Sequence, residues 1–458
     1  MSQPIPPVPE RSSAAAEHRP VRAAAGVSAP LPDYLPMGAA VRTDAQRWPA
    51  LSAAQIAQVD RLRAHPHAPH WTHACGDLLT KADHRELDAW AQTMDAPDDD
   101  LPTWAHELAA RAGQVIPFYR RLGVASWADV PLIERSDLAR DIAAFVPTDV
   151  DLDRVVQGTS SGSSGSSLAI PWHPVDIAKD LPLLAYLLGH ADVDWAPDPA
   201  RMGLLSVVDQ QQAFTYASAM SLRDGQPMAR INLHAAAWQA PEDLEKFVES
   251  QRPQVVTGSS LALLRYAELD VPAPLAIVSG ALTLTATARA RLTERFGVPV
   301  LDLYGLRETG PIAVSYNGIE HHLVPRRIWV ETVDGEIVVT AAENPYLPLL
   351  RYRTGDHGAV AHGVLTGLEG RAPVRFRHGD GTWLGSVDLT QQLQHHGALM
   401  WQVHQHTSGA VDAEILGGDP HGAQAALSLL LDVPVTVVGV SHLGPGKPRR
   451  FSSDIDLG

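Results

Sequence analysis

Short apolar runs alternate with amphipathic segments through the middle of the chain. Buried strands are predicted at residues 254–257 and 275–278, and a third is predicted to begin at Val298. A helix is predicted over residues 259–269. The next helix shows one apolar face, because hydrophobic residues recur at every fourth position: Leu284, Ala288, Leu292 and Phe296. This alternation predicts an α/β fold in which helices flank a mixed, largely parallel sheet.

The pattern differs towards the two ends of the chain. Residues 44–138 are mostly helical in pattern, and residues 1–35 are a Pro/Ala-rich extension that we predict to be disordered. After Gly370, the pattern predicts a hairpin around Ser408 and Gly409, a helix over 423–431 and a strand over 433–440. We therefore predict a large domain over 36–370 and a small α+β domain over 371–458.

Composition narrows the classes of partner. The net charge is −16, from 36 basic and 52 acidic residues, which gives no basic footprint for nucleic acid. Cys75 is the only cysteine, so a disulfide within the chain and a cysteine-based zinc site are both excluded. The sequence contains no apolar run long enough to span a bilayer and no secretory pattern at its start. We expect a cytoplasmic protein without a nucleic-acid or membrane partner.

A glycine- and serine-rich stretch over residues 159–167 is the first candidate for chemistry. Seven of its nine residues carry a hydroxyl and the other two are glycines, so backbone N–H groups in this loop can surround a phosphate. The predicted phosphate-binding residues are Ser160, Ser161, Gly162, Ser163, Ser164 and Gly165.

Further residues suit the remaining tasks of a nucleotide site. Ligands of parallel sheets bind beyond the carboxyl ends of the strands, where we expect Ser279, Gly280, Ala281, Tyr304 and Gly305. The Asp356 carboxylate can accept hydrogen bonds from both ribose hydroxyls, and Tyr304 can stack on adenine. Glu308 can bind Mg²⁺, a hard cation that prefers oxygen ligands. Lys447, in a Gly/Pro-rich turn, can stabilise charge around the α-phosphate.

These motifs, in this order, resemble those of adenylate-forming acyl ligases, and most closely the phenylacetate–CoA ligase branch. The resemblance covers about residues 116–451 and begins with Ile116-Pro117-Phe118-Tyr119. It continues through the phosphate loop, residues 278–280, 304–308 and 350–356, and Gly446-Lys447. It implies a small C-terminal domain that rotates between two half-reactions. It also implies catalytic roles for Lys447, Glu308 and Arg307, and adds Asp302 and Arg371 to the nucleotide-binding residues.

The resemblance implies that ATP and Mg²⁺ convert a carboxylic acid to acyl-AMP, with CoA as the acyl acceptor. It favours an aryl or arylacetic acid, for whose pocket Phe214, Tyr216 and Trp238 are aromatic candidates. Two departures from the family pattern keep transfer to an amine or a carrier-protein thiol open: the lysine after the phosphate loop is missing, and Pro373 stands where the hinge usually has aspartate. A third departure, Arg307 where the family has threonine, implies altered geometry in adenylation, since a guanidinium can still contact a phosphate.

Three alternatives to an acyl ligase also find some support in the sequence. Residues 158–162 also match the Gly-x-Ser-x-Gly motif of hydrolases, which requires a helix directly after the serine. The adjacent pairs His321-His322 and His395-His396 suggest metal ligands, but neighbouring residues on a strand point to opposite faces. A non-catalytic protein that binds a nucleotide or an acyl ligand is the alternative from a different class.

Overall fold

The computed structural model describes residues 42–94, 100–160, 168–210, 213–370, 374–443 and 450–455. The helices in these residues are α1 (Asp44–Arg47), α2 (Ala53–Arg63), α3 (Lys81–Ala91), α4 (Thr103–Val115), α5 (Pro117–Arg121), α6 (Arg135–Arg140), α7 (Pro174–Ala178), α8 (Asp180–Gly189), α9 (Asp243–Gln251), α10 (Ser260–Ala267), α11 (Ala286–Phe296), α12 (Ser386–His395) and α13 (Pro420–Leu431). The strands are β1 (Val156–Ser160), β2 (Leu168–Trp172), β3 (Leu204–Val208), β4 (Tyr216–Met220), β5 (Gln226–Asn232), β6 (Val255–Gly258), β7 (Ala276–Gly280), β8 (Val300–Leu306), β9 (Gly310–Ser315), β10 (His321–Leu323), β11 (Ile328–Val333), β12 (Glu336–Ala341), β13 (Leu349–Ala361), β14 (Val364–Glu369), β15 (Arg375–Arg377), β16 (Trp383–Gly385), β17 (Met400–Gln405), β18 (Val411–Leu416), β19 (Val435–Val440) and β20 (Phe451–Ser453). None of these helices is both long and apolar enough to cross a bilayer.

A twelve-stranded mixed sheet organises the large part of the chain, in the order β11-β12-β13-β14-β10-β9-β8-β7-β6-β3-β5-β4. The strands from β5 through β3, β6 and β7 to β8 run parallel to one another. The pairs from β8 out to β11, and the pair β4–β5, are antiparallel. The predicted α/β class and mixed sheet are confirmed.

Helices cover both faces of this sheet because side chains of its central strands alternate between two cores. Val256 and Ile277 pack in one core with α10 and α11, while Val255 and Ala276 pack in the other with α8. The apolar face predicted for α11 is buried in the first core. Thr285 caps the start of this helix by accepting a hydrogen bond from the Ala288 N–H.

The helical region before the sheet forms a third core against β2 and β13. Phe118 and Phe145 stack in it with their ring centroids 4.3 Å apart. The Tyr119 hydroxyl, fully buried, lies 3.4 Å from the Leu350 carbonyl and 3.3 Å from the Leu350 N–H. Through Tyr119, the Ile116-Pro117-Phe118-Tyr119 motif therefore holds the backbone at the start of β13, the strand that carries Asp356.

The C-terminal region has its own four-stranded sheet, in the order β19-β18-β17-β20, with α12 and α13 packed on one face. The predicted hairpin is the antiparallel pair β17–β18, and the predicted helix and strand are α13 and β19. Hydrogen bonds connect this unit to the large sheet's helices: Thr285 Oγ1 donates to the Leu399 carbonyl (3.3 Å) and Arg450 Nη1 donates to Thr283 Oγ1 (3.2 Å). The domain limits at residues 35 and 370 remain predictions.

Candidate nucleotide site

The carboxyl ends of β7 and β8 lie side by side at one edge of the large sheet. Ser279 pairs with Asp302, and Gly280 with Leu303, in a parallel register. Tyr304 and Gly305 follow on β8, next to a bulge in its pairing with β9. Ala281 follows β7 with φ of +66°, a left-handed backbone conformation that a non-glycine residue adopts only where its surroundings enforce it. The sequence prediction that these residues share a strand edge is thus met by the register.

Asp356 comes to the same edge from a distant part of the sheet. Its strand, β13, is separated from β8 by β14, β10 and β9 in the strand order, and yet the Tyr304 hydroxyl donates to Asp356 Oδ2 over 2.9 Å. Burial and the adjacent carboxylate raise the pKa of Tyr304 well above its ordinary value, so the hydroxyl keeps its proton. The sheet therefore curves enough to bring together the predicted adenine-stacking and ribose-binding residues.

Local hydrogen bonds fix the backbone around Asp356. The Asp356 N–H donates to Thr354 Oγ1 (3.0 Å), and the Thr354 hydroxyl donates to the Ile337 carbonyl (2.8 Å). The Gly355 N–H donates to Glu336 Oε1 (3.0 Å), and Gly355 has φ of +77°, which favours glycine. In the Tyr-Arg-Thr-Gly-Asp sequence, Thr354 and Gly355 thus fix the local backbone conformation that presents Asp356.

Glu308 lies in the turn between β8 and β9 and is buried. Its carboxylate forms an ion pair with Arg135, at the start of α6. Tyr352 lies beside this pair, and its pKa is raised by burial and by the negative charge of Glu308. Sequence reasoning missed Arg135, because nothing in its local sequence indicates a partner 173 positions away.

The Glu308 carboxylate fits Mg²⁺ in donor type, since that ion prefers oxygen ligands and few protein groups. In the structure its charge is already compensated by Arg135. An ion bound at Glu308 would have to share the carboxylate with the guanidinium or replace it. The binding of Mg²⁺ by Glu308 therefore stays a prediction, and Arg135 would compete with the ion for the carboxylate.

Arg307 is exposed in the same turn, directly before the buried Glu308. Burial raises the pKa of Tyr216 on β4 to about 12, and the positive charge of Arg307 opposes part of this rise. The charge of Arg307 thus acts on one of the aromatic side chains proposed for the acyl pocket.

An ionic network lies beside the turn that holds Glu308, and its members are mostly buried except Asp180, whose side chain is 50% exposed. Arg326 is bound to Glu343 (3.0 Å) and to Asp180 (2.8 Å), and Lys179 lies 3.3 Å from Glu343. Burial raises the pKa of a further member, Asp176, to about 7, although both cations oppose the rise. A Cβ atom at Gly310 would lie 3.1 Å from Arg326 Nη1, so the turn packs directly on this network.

Ser279, Asp302 and Trp238 are all buried. Ser279 has no exposed surface, and its Oγ has no hydrogen-bond partner within the described residues. Asp302 lies 3.6 Å from His321 Nε2. Trp238 belongs to a core cluster, packs near Phe247 and donates its indole N–H to the Asn232 carbonyl (2.8 Å). Of the three aromatic pocket candidates, Trp238 is thus a core residue.

Part of the predicted site lies outside the described residues: Ser161, Gly162, Ser163, Ser164, Gly165, Arg371 and Lys447. Ser160 ends β1, which pairs antiparallel with β2 so that Ser160 lies opposite Leu168. The next described element after β1 is the strand β2. The hydrolase alternative requires a helix directly after Ser160, where the chain lies outside the described residues, so it stays an alternative.

Among the solved structures that are similar in fold are structures of a CoA ligase. One is 2-hydroxyisobutyryl-CoA ligase in the postadenylation state in complex with R3-HIB-AMP, with a TM-score of 0.54 and 15% identity over 76% of this chain and 88% of that chain. The same ligase in complex with 2-HIB-AMP gives a TM-score of 0.53 and 16% identity over the same shares. The chain has the fold of an adenylate-forming ligase. Likeness at this identity establishes the fold, and it does not distinguish the phenylacetate–CoA ligase branch.

Sequence comparison adds one distant relative. Protein CapK of Staphylococcus aureus is 21% identical over 277 residues, which are 57% of this chain. The chain spans 58% of the length of that curated relative. No protein-family model matches the chain.

Proposed function

We propose that this chain activates a carboxylic acid with ATP and transfers the acyl group to CoA. A carboxylate oxygen attacks the α-phosphorus of ATP, the bond to the β-phosphate bridge breaks, and pyrophosphate leaves. The thiol sulfur of CoA then attacks the acyl carbonyl, AMP leaves, and the thiol proton passes to solvent. The acid is proposed to be aryl or arylacetic on the motif resemblance alone.

The observation that carries the proposal is the contact between the Tyr304 hydroxyl and Asp356. The two residues are 52 positions apart and lie on strands that are not neighbours, and yet their polar atoms are 2.9 Å apart. The carboxylate has lone pairs left for ribose hydroxyls after accepting from the tyrosine. The likeness in fold to ligases whose structures contain HIB-AMP conjugates supports the same reading of this edge.

Each remaining part of the site has a proposed task. Ser160 and the serines and glycines after it surround the β- and γ-phosphates with backbone N–H groups. Arg307, exposed beside the edge, meets a phosphate or the acid's carboxylate, for which a guanidinium is suited. Mg²⁺ bound at Glu308 would neutralise phosphate charge. Lys447 stabilises charge around the α-phosphate from the C-terminal unit.

The proposal is tested by pyrophosphate release from the full chain, with ATP, magnesium chloride and a panel of aliphatic, aryl and arylacetic acids. We expect release that depends on the acid, with acyl-AMP detected by mass spectrometry. Adding CoA and a set of amines together then identifies the acceptor. Thioester formation supports the proposal. Amide formation without thioester corrects the acceptor and leaves adenylation standing.

Tight binding of ATP without pyrophosphate release from any acid would contradict the proposal and favour a non-catalytic binder. The control variant is Asp380→Asn, an exposed carboxylate on the C-terminal unit. It should behave as the unchanged chain in every one of these assays.

A further inference from the structure

Outside the nucleotide edge, three metal-ligating side chains converge on the C-terminal sheet. One donor atom from each of His404, His406 and Asp454 lies within 4.8 Å of the other two. It is the one group of three histidine, cysteine or carboxylate side chains at this spacing in the part of the chain that the structure describes. None of the three has a role in the proposed ligase reaction.

The strand register brings these residues together. His404 lies on β17 and His406 follows two positions later, so extended backbone directs both side chains to the same side. β20 runs parallel to β17, with His404 opposite Ser452 and Gln405 opposite Ser453. The Asp454 N–H continues this ladder by donating to the Gln405 carbonyl (2.8 Å). The cluster therefore depends on backbone pairing and not on three independent surface side chains.

Neighbouring polar groups hold the imidazole rings. His404 Nδ1 lies 2.8 Å from Ser452 Oγ, which leaves its Nε2 to face Asp454 Oδ2 at 3.1 Å. His406 Nε2 lies 2.8 Å from Asp412 Oδ2. The two ring centroids are 4.6 Å apart. A hydrogen bond to the second ring nitrogen is how proteins usually orient a metal-binding histidine.

The separation of His404 Nε2 and Asp454 Oδ2 suits a tetrahedral ion, and the donor atoms of all three residues lie within 4.8 Å of one another. Two ligands bound to zinc at 2.0–2.1 Å lie about 3.3 Å apart, close to the observed separation of His404 Nε2 and Asp454 Oδ2. Imidazole nitrogens favour zinc and similar transition metals over magnesium or calcium, which take oxygen donors. The side chains are partly exposed, from 34% for His404 to 53% for Asp454, so an ion has access from solvent.

We propose that His404, His406 and Asp454 form a binding site for a divalent transition-metal ion, with zinc as the first candidate. Three protein ligands leave the fourth position to water, and the Asp412 carboxylate lies beside His406 Nε2. The ion links β17 to β20, the strand that follows residues 444–449 in the chain. Its effect is to stabilise the C-terminal unit, independently of the ligase reaction.

The test is calorimetric titration of zinc chloride into the full chain after treatment with EDTA and removal of the chelator. We expect a single tight site that is lost in His406→Asn, and weakened by at least about tenfold in Asp454→Asn. Zinc should also raise the melting temperature of the unchanged chain more than that of either variant. Cobalt in place of zinc should give the intense visible absorption of a tetrahedral complex.

His378→Asn is the matched control. His378 lies 2.8 Å from Asp380 on the same unit, as a single histidine–carboxylate pair without a second imidazole. This variant should bind zinc as the unchanged chain does. Should His406→Asn fail to fold by circular dichroism, Asp454→Asn alone decides. No binding with a Kd below about 100 µM, or equal binding in the variants, would overturn the proposal and leave ordinary surface ion pairs.

Discussion

The edge of the large sheet and the outer face of the C-terminal sheet both gather polar side chains, but at different depths. At the edge, Glu308 is buried and its partner Arg135 comes from a separate helix. On the C-terminal sheet, His406 directly follows β17 and Asp412 lies on the neighbouring β18, and their side chains are 42% and 63% exposed. Burial raises the energetic weight of every pairing, because an unpartnered charge inside a protein cannot recover its hydration.

This difference in burial predicts which substitutions change both function and stability, and which change ligand binding alone. Side chains at the edge should affect both nucleotide chemistry and folding when they are changed. Those on the exposed sheet face should affect only ligands that they bind directly. The predictions below test this separation, in decreasing order of expected effect.

The largest effect is expected for Lys447, which is proposed to stabilise charge around the α-phosphate. Lys447→Ala should lower the rate of acyl-AMP formation by at least about a hundredfold, because a charge-stabilising group is lost from the transition state. Consumption of acyl-AMP supplied from outside should remain nearly normal. Pyrophosphate release and single-turnover thioester formation measure the two steps. Adenylation at the normal rate would remove Lys447 from the mechanism.

The next largest effect concerns the ion pair at the edge. Arg135→Met leaves the Glu308 carboxylate buried without its partner and should destabilise the large domain by about 2–3 kcal/mol, since Arg135 is 31% exposed. The midpoint of urea unfolding followed by tryptophan fluorescence measures it. Arg111→Met is the control, because its pair with Asp149 is 44% exposed on both sides and is worth less than about 1 kcal/mol. Equal effects of the two changes would contradict the comparison.

A pH test compares two carboxylates whose pKa values both lie at about 2. For Asp83, burial raises the pKa, but hydrogen bonds from Arg154 and Thr80 outweigh it. For exposed Asp380, hydrogen bonds from Thr382 lower the pKa. Asp83→Asn should cost about 2 kcal/mol at pH 7, from the difference between about 2 and the ordinary 3.8.

The sign follows from the lowered pKa of Asp83. Its stabilisation is fully present above about pH 4 and is lost as the pH falls towards 2, so the difference between Asp83→Asn and the unchanged chain should shrink over that range. Asp380→Asn should leave the stability of the chain unchanged, both at pH 7 and as the pH falls towards 2. A pH-independent loss in Asp83→Asn would show that packing, and not ionisation, accounts for it.

The smallest effect is expected for nucleotide affinity. Asp356→Ala removes an acceptor for two ribose hydroxyls and should weaken ATP binding by about 1–3 kcal/mol. It should also lower the stability, because the Tyr304 hydroxyl loses its acceptor. Equilibrium binding of ATP and urea unfolding of the same sample give the two numbers. Unchanged ATP affinity would remove Asp356 from the site.

How much of this could be predicted from the sequence depends on the range of the interaction. The apolar face of α11 and the strands β6 and β7 followed from local periodicity and are confirmed. The convergence of Tyr304 with Asp356 was predicted from motif order. The ion pair of Glu308 with Arg135 was not, because neither residue's surroundings indicate the other.

The histidines show the same limit. From the sequence, the adjacent pairs His321-His322 and His395-His396 were considered as metal ligands, whereas the histidines that converge in the structure are His404 and His406, two positions apart. That spacing matches the alternation of side chains along a strand and can be read directly from the sequence. Asp454, 48 positions after His406, becomes a neighbour only through the parallel pairing of β20 with β17.

By itself, the sequence determined which segments form strands and helices and which residue types are available for chemistry, because periodicity and side-chain character are local properties. Only the tertiary structure decided which of those side chains share a site. The curvature of the large sheet brings β13 back to β8, and the order of the small sheet places β20 beside β17. Such contacts arise from the packing of whole elements, whose positions depend on many distant residues at once.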